Sequence, residues 1–130
     1  MKLIIFIFIS LNCITCFNKN LILEKIIREY SDGRPSVVNT YKKNNDNINE
    51  LIIETVYNHN GKINTEIYFE NNSIKYVKYY YYYKNSKLKE VQKYLPPSIK
   101  DGEWIYYNLD GSIFKIEVYK NHKLKKIKRY

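Results

Sequence analysis

The chain contains no alanine, and its 130 residues include only four glycines, three prolines, three arginines, two cysteines and one tryptophan. Without Ala, the best helix former, and with 19 Ile and 15 Tyr in its place, the composition leans to strands, because β-branched and aromatic side chains fit a pleated surface. Both cysteines, Cys13 and Cys16, lie near the N-terminus, so no disulfide can staple the body of the fold. The length suits one domain and excludes two comfortable ones.

Positive charge prevails, 22 Lys and Arg against 13 Asp and Glu, and the cations are nearly all of one type. The formal net charge is +9, yet 19 of the 22 cations are Lys, and the chain is swollen in Asn, Ile and Tyr as the product of an AT-rich gene would be. Arg is the side chain that forks onto phosphate and guanine, so Arg28, Arg34 and Arg129 alone argue against specific nucleic-acid readout.

Met1 and Lys2 precede an apolar run from Leu3 to Leu11, the length of a secretory hydrophobic region and short of a membrane span. Polar residues begin directly after Cys16. The segment resembles a bacterial lipoprotein signal, which implies cleavage before a lipid-bearing Cys; Cys16 is the expected position and Cys13 the second choice. A plain secretory signal or an uncleaved anchor is the alternative. The organisation expected is a signal over 1–16, a tether over 17–25 and a β-domain over 26–130.

In that domain, Asp32-Gly33, Asn60-Gly61, Asn85-Ser86 and Asp110-Gly111 recur at intervals of 28, 25 and 25 residues. Asx-Gly pairs mark tight hairpins, since both residues tolerate positive φ. Tyr57, Tyr83 and Tyr107 precede three of the turns, and Ile63, Leu88 and Ile113 follow them. Weaker copies lie half-way, at Asn71-Asn72 and Asn121-His122. The expectation is an all-β antiparallel meander of repeated hairpins in one extended sheet. Alternation puts Ile63, Thr65, Ile67 and Phe69 on one face, and Phe114, Ile116 and Val118 together opposite Lys115, Glu117 and Tyr119. Asn44 to Asn49 and Leu95 to Asp101 read as polar loops. Leu21 to Tyr30 fits a helical face or, from Ile26 onward, a strand.

The run from Gly102 through Trp104, Tyr106, Tyr107, Asp110 and Gly111 to Ile113 resembles the variant MORN repeat of small bacterial proteins, and Tyr119 to Leu124 resembles its second half. The resemblance implies successive hairpins used for binding rather than catalysis, antitoxin roles for some bacterial members and membrane-lipid contact for eukaryotic ones.

Catalytic chemistry finds little support. His59 and His122 sit in turns with no ligand at metal spacing, and Asp32, Asp101 and Asp110 each precede a Gly, where turn formation accounts for them. Glu66, Glu70, Glu103 and Glu117 read as mostly solvated outer-face residues. No catalytic residue, metal site or cofactor is expected.

The most distinctive stretch is Tyr79 to Tyr83. Packing alone explains three of its rings on a core face; the functional reading is a shallow aromatic platform of Tyr79, Tyr81, Tyr83, Trp104, Tyr106 and Tyr107 for a protein partner or a glycan. Lys123, Lys125, Lys126 and Lys128 read as an edge strand charged against further pairing, with contact to an anionic membrane as a second role. The expected function is therefore non-catalytic binding at the cell envelope. The alternative is an antitoxin or immunity protein occluding a toxin.

Overall fold

A computed structural model describes residues 22–43 and 49–130. The segment expected to be a signal, with Cys13 and Cys16, and most of the stretch from Asn44 to Asn49, expected to be a loop, lie outside the described residues.

Among the described residues, ten strands form one open antiparallel sheet: β1 (Ile22–Glu29), β2 (Pro35–Lys43), β3 (Asn49–Tyr57), β4 (Ile63–Glu70), β5 (Ser73–Tyr82), β6 (Leu88–Leu95), β7 (Ile99–Lys100), β8 (Gly102–Tyr107), β9 (Ile113–Lys120) and β10 (Lys123–Arg129). Strands pair in chain order from β1 to β10, except that the short β7 pairs with β6 beside β8. No helix occurs among the described residues. The ambiguous N-terminal segment is therefore a strand, and it begins at Ile22, inside the stretch expected to be tether. The expected Leu95 to Asp101 loop likewise holds β7.

The turns alternate in kind between the two ends of the sheet. At one end, the Gly33, Gly61, Ser86 and Gly111 amides bond back to residues three earlier, and the Tyr30, Asn58, Tyr83 and Asn108 amides reach the carbonyls four later. These are three-residue loops with the left-handed residue last. In each, the preceding Asx side chain accepts the backbone N–H two residues on, as in Asp110 Oδ1 with Ser112 N at 2.8 Å. Positive φ thus falls on Gly33, Gly61, Ser86 and Gly111 but not on the Asx before them. The pairs with both residues left-handed are Asn71-Asn72 and Asn121-His122, the copies that look weaker in sequence.

Ser86 alone fills a repeat glycine position with a side chain, at φ 65°. A Cβ there is strained by about 1–2 kcal/mol, partly offset by the greater freedom Gly has when unfolded. Ser86→Gly is expected to raise stability by about 0.5–1 kcal/mol, read as a higher urea midpoint at unchanged slope. A midpoint that stays or falls would show the turn unstrained.

Each of these four turns is followed by a register shift in which one residue is extra: Ser36, Asn64, Lys89 and Phe114. Such a bulge reverses the phase of alternation and increases twist. Ile63 pairs with Tyr57 while Thr65 pairs with Val56, so Ile63 faces away from Thr65, Ile67 and Phe69, contrary to simple alternation. Phe114 departs from Ile116 in the same way, its ring lying 6.0 Å from that of Tyr106. Counted from the left-handed residue, the counterpart of Tyr57 and Tyr107 is Tyr82, not Tyr83: the pairs are Tyr57 with Ile63, Tyr82 with Leu88, and Tyr107 with Ile113.

No described side chain is wholly enclosed, and burial is divided between the faces: Val37 and Trp104 on one, Val91 and Ile116 on the other. Among the described residues nothing forms a second layer. Each face instead covers itself with long aromatic and Lys side chains laid across neighbouring strands.

Candidate functional site: two aromatic faces

Paired residues in a ladder share a face, so the register assigns every side chain. Tyr79, Tyr81, Trp104 and Tyr106 share one face, here the front; Tyr107 lies on the back with Tyr57, Tyr80 and Tyr82. Tyr83 belongs to a turn, where its hydroxyl donates to the Tyr107 carbonyl at 2.7 Å. Tyr30 makes the same bond to the Tyr57 carbonyl at 2.6 Å. The six residues expected as one platform are thus divided between two faces and a turn.

On the front, four rings run across β5, β6, β8 and β9: Tyr79 to Tyr94 at 5.6 Å, Tyr94 to Trp104 at 5.2 Å, and Trp104 to Tyr119 at 5.0 Å. Trp104 is only 5% exposed, so it anchors the ladder instead of presenting a free ring. Its indole N–H donates to the Lys93 carbonyl at 3.0 Å, and the Lys100 ammonium lies 4.1 Å from its ring centroid. Tyr79 and Tyr81 remain exposed and line a groove of about 490 Å³ with Ile74, Val77, Tyr94 and Pro96. Sequence reasoning missed Tyr94 and Tyr119, because only strand pairing reveals their neighbours.

A carboxylate ties down tyrosines on each face. Glu117 Oε2 accepts from Tyr106 at 2.8 Å and Tyr119 at 2.9 Å, while Oε1 meets Lys115 at 2.9 Å. Burial pushes Glu117 up, but hydrogen bonds from Lys115, Tyr106 and Tyr119 outweigh it and hold the group below the usual carboxylate range. Lys115 also sits 3.8 Å over the Tyr106 ring. On the back, Glu66 Oε2 accepts from Tyr68 at 2.7 Å and Tyr80 at 2.5 Å. Burial first, and then the bond to Glu66, pushes both phenols up. Glu66 and Glu117 are therefore anchors on opposite faces, not solvated residues, and cannot converge on one substrate.

Beside Glu66, the Tyr68 and Tyr76 rings stack at 4.3 Å, with Lys78 5.1 Å from the first and Lys93 4.4 Å from the second. Toward the three-residue turns the back opens into a groove of about 750 Å³, lined by Tyr57, Ile63, Tyr80, Tyr82, Leu88 and Tyr107. A smaller hollow of about 360 Å³ shares Tyr57 and Gly61 with it and continues past Val38 to Ile26. The signal for this row was in the sequence as the 25-residue interval from Tyr57 to Tyr82 to Tyr107.

The remaining candidates are held by the fold. His59 stacks on Tyr30 at 3.8 Å, and the His122 amide bonds to the Lys100 carbonyl. Asp101 does more than precede a Gly: its carboxylate takes Lys120 at 3.1 Å and the Asn121 amide at 3.4 Å, joining the start of β8 to the last hairpin. The Lys120 bond holds it below the usual range. Lys123, Lys125, Lys126 and Lys128 lie on the edge strand β10, all exposed, with Lys125 the extra residue of a register shift. No group of three metal-ligating side chains occurs among the described residues. Compared with known families, curated proteins and solved structures, the chain matches none, and the likeness to MORN repeats rests on its own residues.

Proposed function

We propose that the chain is a MORN-like hairpin-repeat protein that binds a partner protein through its aromatic sheet surface and performs no catalysis. The observation that carries this reading is the row of half-buried rings and aliphatic side chains at one repeat position, Tyr57, Ile63, Tyr82, Leu88 and Tyr107, opening a shallow groove across five strands. Tyr offers large contact area at small entropic cost, and a broad groove between rigid strands suits a macromolecular ligand better than a small substrate.

Photo-crosslinking in the native cell tests it. A benzophenone side chain replacing Tyr82 or Tyr79 is expected to give discrete protein adducts, whereas one replacing Leu109, exposed at a turn tip, gives none. Loss of adducts from both faces sinks the reading. An envelope location follows from the signal segment, and intact mass decides it: a diacyl addition that Cys16→Ala abolishes supports a lipid anchor, and an unmodified intact N-terminus removes it.

A further inference from the structure

The back groove has a repeat distance of its own. Tyr57, Tyr82 and Tyr107 stand on β3, β5 and β8, and in the sheet order each is two strands from the next. Strands lie ~4.7–4.9 Å apart, so the rings recur every ~9.4–9.8 Å along a line crossing the strands. A peptide in extended conformation repeats its side chains every ~6.6–6.8 Å and falls out of step within one rung. A polyproline II helix repeats every three residues, about 9.3 Å, and keeps step with the rings. Aromatic-lined grooves are the surfaces that hold such helices, because the ligand is stiff before it binds.

Charge narrows the ligand further. Lys62 and Lys87 line the groove, each directly after the left-handed residue of its turn and each directly before the aliphatic member of a Tyr pair. They stand on neighbouring turns, two strands apart, so the cations repeat at the same interval as the rings. Neither has a carboxylate within ion-pair distance among the described residues. In the next repeat the position is Ser112, and Asp110 lines that end of the groove. A ligand therefore meets positive charge at two successive rungs and negative charge at the third.

We infer that this groove binds an acidic, proline-rich segment of a partner protein in the polyproline II conformation, with a carboxylate every third residue over Lys87 and Lys62. The inference rests on the reading of the sheet as an aromatic binding surface and names the chemistry of its occupant.

The test is fluorescence anisotropy of the full-length chain with labelled peptides. Repeated Pro-Pro-Glu is expected to bind, and repeated Gly-Gly-Glu, equal in charge but flexible, to bind about tenfold more weakly; repeated Pro-Pro-Lys should bind more weakly still. The Lys62→Glu, Lys87→Glu double variant changes only exposed or partly exposed side chains and is expected to lose about tenfold for Pro-Pro-Glu. Tyr82→Phe keeps the ring and retains binding, while Tyr82→Ala loses it; circular dichroism establishes that both are folded. Equal binding of the Pro and Gly peptides, or an unchanged affinity in the Lys double variant, overturns the inference. So does displacement of the peptide by oligoglucuronate at lower concentration, which makes an acidic glycan the occupant. Crosslinks from Tyr82 in the cell with no Pro-Pro-Glu binding leave the aromatic-surface reading standing and remove this ligand.

Discussion

Trp104→Ala is expected to lower the unfolding free energy by about 3–5 kcal/mol, a large part of what a domain of this size possesses. The ring is the most buried large side chain described, at 5% exposure, and it touches Tyr94 and Tyr119 while Lys100 covers it. Truncation removes the middle of a four-ring ladder, and the described residues form no second layer that could collapse into the space. Trp104→Phe separates the contributions: it keeps most of the ring contact and loses the indole bond to the Lys93 carbonyl, at a cost of about 1–2 kcal/mol including lost contact. Urea unfolding followed by far-ultraviolet circular dichroism gives both values. A loss under about 1 kcal/mol for the alanine variant would mean that the front ladder is ornamental and that backbone pairing alone holds β6, β8 and β9 together.

Glu66→Ala is expected to cost about 2–3 kcal/mol, and Glu66→Gln about 1. The carboxylate accepts hydrogen bonds from two phenols on different strands, Tyr68 on β4 and Tyr80 on β5. Alanine leaves both hydroxyls in a half-buried site without an acceptor. Glutamine keeps an acceptor oxygen and loses only the charge. Near-ultraviolet circular dichroism of the tyrosines should change strongly in the alanine variant and little in the glutamine one. Equal losses in the two would show that charge, not acceptor geometry, is what Glu66 supplies, through Lys78 in the facing ladder position.

The repeat was legible in the sequence, for a local reason. Asp32-Gly33, Asn60-Gly61 and Asp110-Gly111 encode turns through the backbone freedom of Gly and the short reach of an Asx oxygen, and both act within five residues. The edge position of β10 was legible too, from Lys spaced along a final strand. The division of aromatics between faces was not. It depends on one extra residue after each three-residue turn, and nothing in Asn64, Lys89 or Phe114 as residue types announces a bulge. Simple alternation therefore grouped Ile63 with Thr65, and nearness to Trp104 and Tyr106 in sequence placed Tyr107 in one platform with Tyr79, from which the sheet separates it.

By itself the sequence determined the class, the hairpin period and the supply of rings, because strand propensity, turn chemistry and composition are properties of short segments. Tertiary structure decided which rings meet. Tyr79, Tyr94, Trp104 and Tyr119 come from four strands and become neighbours only through pairing register, while Tyr57, Tyr82 and Tyr107 become a row only because each hairpin repeats the same bulge. Register is a relation between strands, so no single strand carries it.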